Sequence, residues 1–104
     1  MIPDQRYPPP RIIAVDIDGT LVTQGRLSSS VVTWCRDKKT KGARLMLWSA
    51  RGIEYANQVA DHFELRDLFD DVVGKPGYIV DDHGWNWTRY TVVVPESAIR
   101  GMGD

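Results

Sequence analysis

The sequence predicts an α/β domain built on a small, mainly parallel sheet with helices on both faces. Three observations point there. Short apolar, β-prone runs alternate with stretches of helical periodicity in the order strand–helix–strand–helix–strand, which right-handed crossovers turn into a parallel sheet. Apolar residues make up 42% and charged residues 26% of 104 positions, a globular balance sufficient for one core and too little for two. Polar, glycine-containing segments follow the strand candidates directly. In such folds ligands bind beyond the carboxyl ends of the strands.

Taken in order, residues 1–10, MIPDQRYPPP, hold a triple proline that favours extended chain and predicts a surface arm. RIIAV (11–15) is the first strand candidate, apolar enough for burial on both faces. Residues 16–27 are glycine-bearing and polar, a loop. Ser28, Ser29 and Ser30 offer N-caps for a helix through about Lys41, with Val31, Val32 and Cys35 on its inner stripe. Lys38, Lys39 and Lys41 suit its negative end, and Gly42 suits the C′ position. ARLMLW (43–48) is the second strand and SARG (49–52) a turn. Residues 53–65 form a helix with Tyr55, Ala56, Val59, Ala60 and Phe63 inward, and Leu68 and Phe69 tuck under the next connection. DVV (71–73), YIVD (78–81) and TRYTVVV (88–94) are three further strands, the last at a sheet edge, before a frayed tail at 95–104. The main domain therefore runs from 11 to 94.

Composition removes several classes of function. Thirteen basic residues balance fourteen acidic ones, and no basic block stands out, which argues against a dedicated nucleic-acid surface. Cys35 is the only cysteine, so neither an internal disulfide nor a cysteine-based zinc site is available within one chain. No apolar run approaches the ~20 residues of a membrane span, and no charged-then-apolar signal opens the sequence. A reducing, cytoplasmic setting without membrane attachment is the expectation.

The chemistry gathers where strands end. Asp16 and Asp18 follow the first strand, Ser49 the second, and Asp81 with Asp82 a later one, so all are expected at one rim. Four carboxylates there repel and lose hydration unless a positive charge lies among them. A hard divalent cation with oxygen ligands meets that need, and magnesium accepts a few carboxylates plus water and phosphate oxygens. A calcium EF-hand does not fit: with Asp16 and Asp18 at loop positions 3 and 5, position 12 is Gly25 where a carboxylate is required. No segment has the G-x-x-x-x-G-K-[ST] pattern of a P-loop. Alone, D-x-D is more often a turn or helix cap.

The ordered set is more specific. An apolar strand plus DIDGTL, a second strand plus Ser49, then Lys75, then YIV plus Asp81-Asp82 resembles the haloacid dehalogenase superfamily of phosphatases over about residues 11–94. The resemblance implies a three-layer, Rossmann-like α/β fold and a magnesium-dependent phosphatase that hydrolyses a phosphomonoester through an aspartyl-phosphate. By the same resemblance Asp16 is the nucleophile and Asp18 the general acid and base, both in contact with the metal. Gly19 bends the loop and Thr20 fixes it against the substrate side, Ser49 donates to a phosphoryl oxygen, and Lys75 balances charge. Adjacent residues on a strand point opposite ways, so only one of Asp81 and Asp82 can easily reach the metal. The resemblance to relatives that end this strand in a double aspartate implies that Asp82 touches it and Asp81 stands behind.

Two departures from the family stand out. Only five residues separate Lys75 from Asp81, which leaves no helix between those motifs. The loops after Asp18 and Ser49 are too short for a cap domain, so the site is expected to be open to a large substrate, such as a phosphorylated polymer end, or to be covered by another subunit of a homo-oligomer. Arg51 could hold a substrate phosphate or be a plain surface arginine. His83 could contact substrate or sit in an exposed turn. Trp85 and Trp87 could line the site mouth, join a subunit contact or pack at an edge. A phosphotransferase and a binding or assembly module without turnover are the competing functions.

Overall fold

The computed structural model describes residues 12–89 and 91–101. The expected N-terminal arm, 1–10, lies outside the described residues. Three parallel strands form the sheet: β1 (Ile12–Asp16), β4 (Arg44–Ser49) and β5 (Asp71–Gly74), in the order β1-β4-β5. In register, Asp16 lies opposite Trp48, and Ser49 opposite Gly74, so the three strands end on one rim. Helix α1 (Ser29–Thr40) crosses from β1 to β4, and α2 (Ile53–His62) from β4 to β5. The α/β class with a small parallel sheet and no cap is as the sequence predicts.

Strand alternation places Val15 of β1 with Leu45, Leu47 and Ser49 of β4 toward the helices, and all four are buried. The helices answer with Val31 and Cys35 from α1 and Ala56, Val59 and Ala60 from α2, which join these strand residues in one core cluster. Leu68 and Phe69 are buried in it, as expected. Each fully buried leucine contributes about 1.5–3 kcal/mol, whereas an exposed ion pair is worth about 0–1 kcal/mol. Leu21, Leu45, Leu47 and Leu68 therefore outweigh surface pairs such as Arg36–Asp67. The opposite sheet face is less covered: Ile12 and Ala14 are exposed, and Met46 and Trp48 only half-buried. The described residues of RIIAV are thus buried on one face only, with Val15 turned to the helices and Ile12 and Ala14 turned to the other side.

Both ends of α1 follow from local chemistry. Ser28 is the N-cap, its Oγ accepting the Val31 N–H at 3.3 Å. At the far end the Gly42 N–H bonds to the Lys39 carbonyl and the Ala43 N–H to the Lys38 carbonyl, the paired bonds of a Schellman motif. Burial pushes the Cys35 thiol up to about 11, so it stays protonated as a small apolar core group.

Four expected features differ. The 16–27 loop contains a hairpin, β2 (Val22–Thr23) with β3 (Arg26–Leu27), whose central Gln24 and Gly25 both have positive φ, 52° and 74°, as a type I′ turn requires. YIVD is not a strand: residues 78–81 have no regular structure, and Tyr78, Ile79 and Val80 are exposed. Of TRYTVVV, Tyr90 lies outside the described residues and the rest is not a strand: Gly84–Thr88 forms a 3₁₀ turn and residues 91–95 lie irregular, with Val92 and Val93 exposed. Apolar β-prone residues become a strand only when an edge accepts their backbone, and among the described residues β1 pairs with β4 alone. Residues 96–100, expected to fray, form α3 (Glu96–Arg100), which packs against α1 and buries Ile99.

Candidate active site at the strand rim

The DIDGTL segment divides its residues by environment. Ile17 and Leu21 are fully buried and anchor the loop, while Asp16, Asp18 and Thr20 keep access to solvent. The turn is closed by backbone bonds from Thr20 and Val22 N–H to the Ile17 carbonyl and from Gly19 N–H to the Val22 carbonyl. Gly19 adopts φ +82°, which a side chain would strain, although a Cβ there would meet nothing within 4 Å. Backbone conformation, not crowding, is what demands glycine at this position.

Asp16 is held from two sides. Lys75 Nζ lies 3.0 Å from Oδ1, and Thr20 Oγ1 donates to Oδ2 at 3.3 Å. Lys75 also stands 5.7 Å from the centre of the Trp48 ring, which flanks its ammonium. Asp18 is held separately: the Tyr55 hydroxyl donates to Oδ1 at 2.7 Å, and Arg51 Nη1 lies 3.7 Å from Oδ2. The Arg51 guanidinium stacks on the Tyr55 ring at 3.8 Å. The bond to Asp18 is the first cause, and burial the second, of an upward shift in the Tyr55 phenol.

Ser49 ties these two groups together. It is buried at the end of β4, its Oγ accepts the Arg51 N–H at 3.0 Å, and its carbonyl accepts the Gly52 and Lys75 N–H groups. The turn carrying Arg51 and the strand end carrying Lys75 thus hang from one residue. Gly74 makes that approach possible, since a Cβ there would lie 3.3 Å from the Ile53 nitrogen and 3.4 Å from the Gly52 Cα.

Asp16, Thr20 and Lys75 are therefore brought together, with Asp18 and Arg51 alongside and Ser49 beneath. Asp81, Asp82 and His83 are not. Asp81 Oδ1 accepts the His83 N–H at 2.8 Å, and His83 Nε2 lies 3.7 Å from Asp82 Oδ1, a local turn exposed to solvent. Without a strand at 78–81 nothing delivers these acids to the rim, and among the described residues no three His, Cys, Asp or Glu side chains cluster as a metal site. Trp85 and Trp87, in the 3₁₀ turn and not extended, line a cavity of about 310 Å³ with Pro76, Tyr78 and Asp81. Tyr55 is the rim contact that sequence reasoning did not assign. The helical period put it on the inner stripe, but it sits in the first turn of α2, where its ring packs on the core and its hydroxyl reaches the rim.

A parallel α/β domain with an aspartate–lysine pair past its strand ends carries its candidate site where such sheets bind ligands. The family comparison goes further: the model described as haloacid dehalogenase-like hydrolase matches residues 13–100. The chain belongs to that family. The match runs past the expected boundary at 94 and takes in α3. No curated protein and no solved structure is significantly similar to the chain.

Proposed function

We propose that this hydrolase acts on phosphomonoesters, with Asp16 as nucleophile and Asp18 as general acid and base. The observation that carries the reading is the contact set of Asp16: a lysine ammonium at 3.0 Å and a threonine hydroxyl on the other oxygen. A carboxylate so placed is held in one orientation beside the positive charge that a trianionic transition state needs.

In the first step an Asp16 oxygen bonds to phosphorus as the P–O ester bond breaks, and protonated Asp18 gives its proton to the departing alkoxide. In the second, Asp18 takes a proton from water, the water oxygen bonds to phosphorus, and the aspartyl P–O bond breaks to release phosphate and restore Asp16. Lys75 offsets the charge of the incoming phosphate, and the Ser49 hydroxyl proton is free to donate, since its oxygen accepts from Arg51. Asp16 is a part-exposed carboxylate donor at the strand end, and with the Asp18 backbone carbonyl it fits the few protein oxygens that magnesium takes beside water and substrate oxygens. The two residues would hold Mg²⁺, whose contribution would be further charge neutralisation. Asp81 and Asp82 could join them only if residues 78–82 moved to the rim.

The test is phosphate release from a panel of aryl and alkyl phosphates with magnesium, wild type beside Asp16→Asn. Turnover in the wild type, and its loss by a factor of about 10³ or more in a variant of unchanged melting temperature, is the expected result. A wild type inactive on the whole panel overturns it. Among the described residues Asp81 and Asp82 bond only within their own turn, which favours a second reading, a metal- or phosphate-binding or assembly module without turnover. Phosphate binding by an inactive wild type would select that one.

A further inference from the structure

We propose that Tyr55, braced by Arg51, is a positioning residue that fixes the Asp18 carboxylate by Oδ1 and leaves Oδ2 as the oxygen that exchanges protons. The inference rests on the reading of Asp18 as general acid and base. Asp18 needs such a brace: its side chain is half-exposed, 50%, so packing does not select its rotamer. Two contacts do. The Tyr55 hydroxyl donates to Oδ1 at 2.7 Å, the shortest hydrogen bond at the rim. Arg51 approaches the other oxygen only to 3.7 Å, beyond hydrogen-bond reach. It attracts Oδ2 without occupying its lone pairs.

The brace is itself supported from below. The Tyr55 ring packs against the core, and the Arg51 guanidinium lies on it at 3.8 Å. The Arg51 N–H bonds to buried Ser49 Oγ. The chain of contacts therefore runs from the end of β4 through Arg51 and Tyr55 to Asp18, linking the α2 side of the rim to the β1 loop. An acid held this way can reach a leaving oxygen at a set angle, and small misplacements of a catalytic group cost large factors in rate. Arg51 then acts through Tyr55 and Asp18, in place of the direct hold on substrate that its sequence position suggests.

Leaving-group dependence tests this. An alkyl phosphate needs a proton on its departing oxygen, whereas p-nitrophenyl phosphate leaves as a stable anion and needs little help. Tyr55→Phe removes only the hydroxyl and keeps the ring under Arg51. In single-turnover experiments, which read the first step before the water step that both esters share, it should slow alcohol release from an alkyl phosphate about tenfold or more and p-nitrophenol release less than about threefold, with the melting temperature unchanged. A merely structural tyrosine would lower both rates equally. An equal loss, or none, in an active enzyme overturns the inference and leaves the phosphatase reading standing. A wild type that turns over neither ester overturns both.

Discussion

Asp16 accepts from Lys75 and Thr20 at once, and its fate in solution depends on which contact matters more. Lys75 and Asp16 are each 36% exposed, so their pairing adds less than about 1 kcal/mol to stability. Beside a phosphoryl group the same ammonium has far more effect, because it meets charge that grows in the transition state. Lys75→Ala should therefore keep its melting temperature within a degree or two, yet lose about 10²-fold or more in kcat/KM for phosphate release. Equal activity in the variant would remove Lys75 from the chemistry. The residue types at the rim were legible in the sequence, DIDGTL and Ser49 from where strands end and Lys75 from the family resemblance, and the chain brings them there. Tyr55 was not, since a tyrosine at helical period reads as core, and only the start of α2 beside the β1 loop turns its hydroxyl to Asp18.

At the scale of elements, the contact between β5 and the turn before α2 sets where Lys75 stands. Gly74 passes within 3.3–3.5 Å of Gly52 and Ile53 backbone atoms, measured from where a Cβ would be. Backbone cannot swing aside as a flexible side-chain tip can. Gly74→Ala should cost about 1–3 kcal/mol in denaturant unfolding and lower activity as well, because Lys75 is the next residue. A variant as stable as wild type would show that this approach has slack. The helices and the first two main strands were readable because their signals are local: a serine cap, a lysine–glycine end, a helical period, an apolar run. YIVD and TRYTVVV carry the same local signal and fail as strands, because strand formation is decided by a partner elsewhere in the chain.

For the molecule as a whole, the consequence is an uneven distribution of packing. From Lys75 to Pro95 no described residue is buried, and Ile99 then returns to the core. The radius of gyration, 14.8 Å, exceeds the about 13 Å of a compact domain this long. No helix among the described residues is long and apolar enough to cross a membrane. Stability should fall at acid pH. The Leu45 N–H and then Lys39 lower the Asp70 carboxyl, Arg44 lowers Asp71, and Arg66 lowers Asp61. Each is ionised in the fold at a pH where the unfolded chain, near 3.9, already binds protons. Their contribution is thus full above about pH 4 and is lost as pH falls through the lower folded values. Urea midpoints measured from pH 6 to 2 should drop below pH 4, and less steeply in Asp70→Asn. An identical acid limb in the variant would show that Asp70 has no part in it.

The sequence by itself determined the α/β class, the caps of α1, and the chemistry available at the strand ends, since each depends on neighbours a few residues apart. Tertiary structure alone decided that Asp16 meets Lys75, that Tyr55 holds Asp18, that Ile99 closes the core, and that no strand forms at Asp81. These are meetings between residues distant along the chain. A free edge at β1, or its absence, is settled by what else packs there, and no local pattern carries that information.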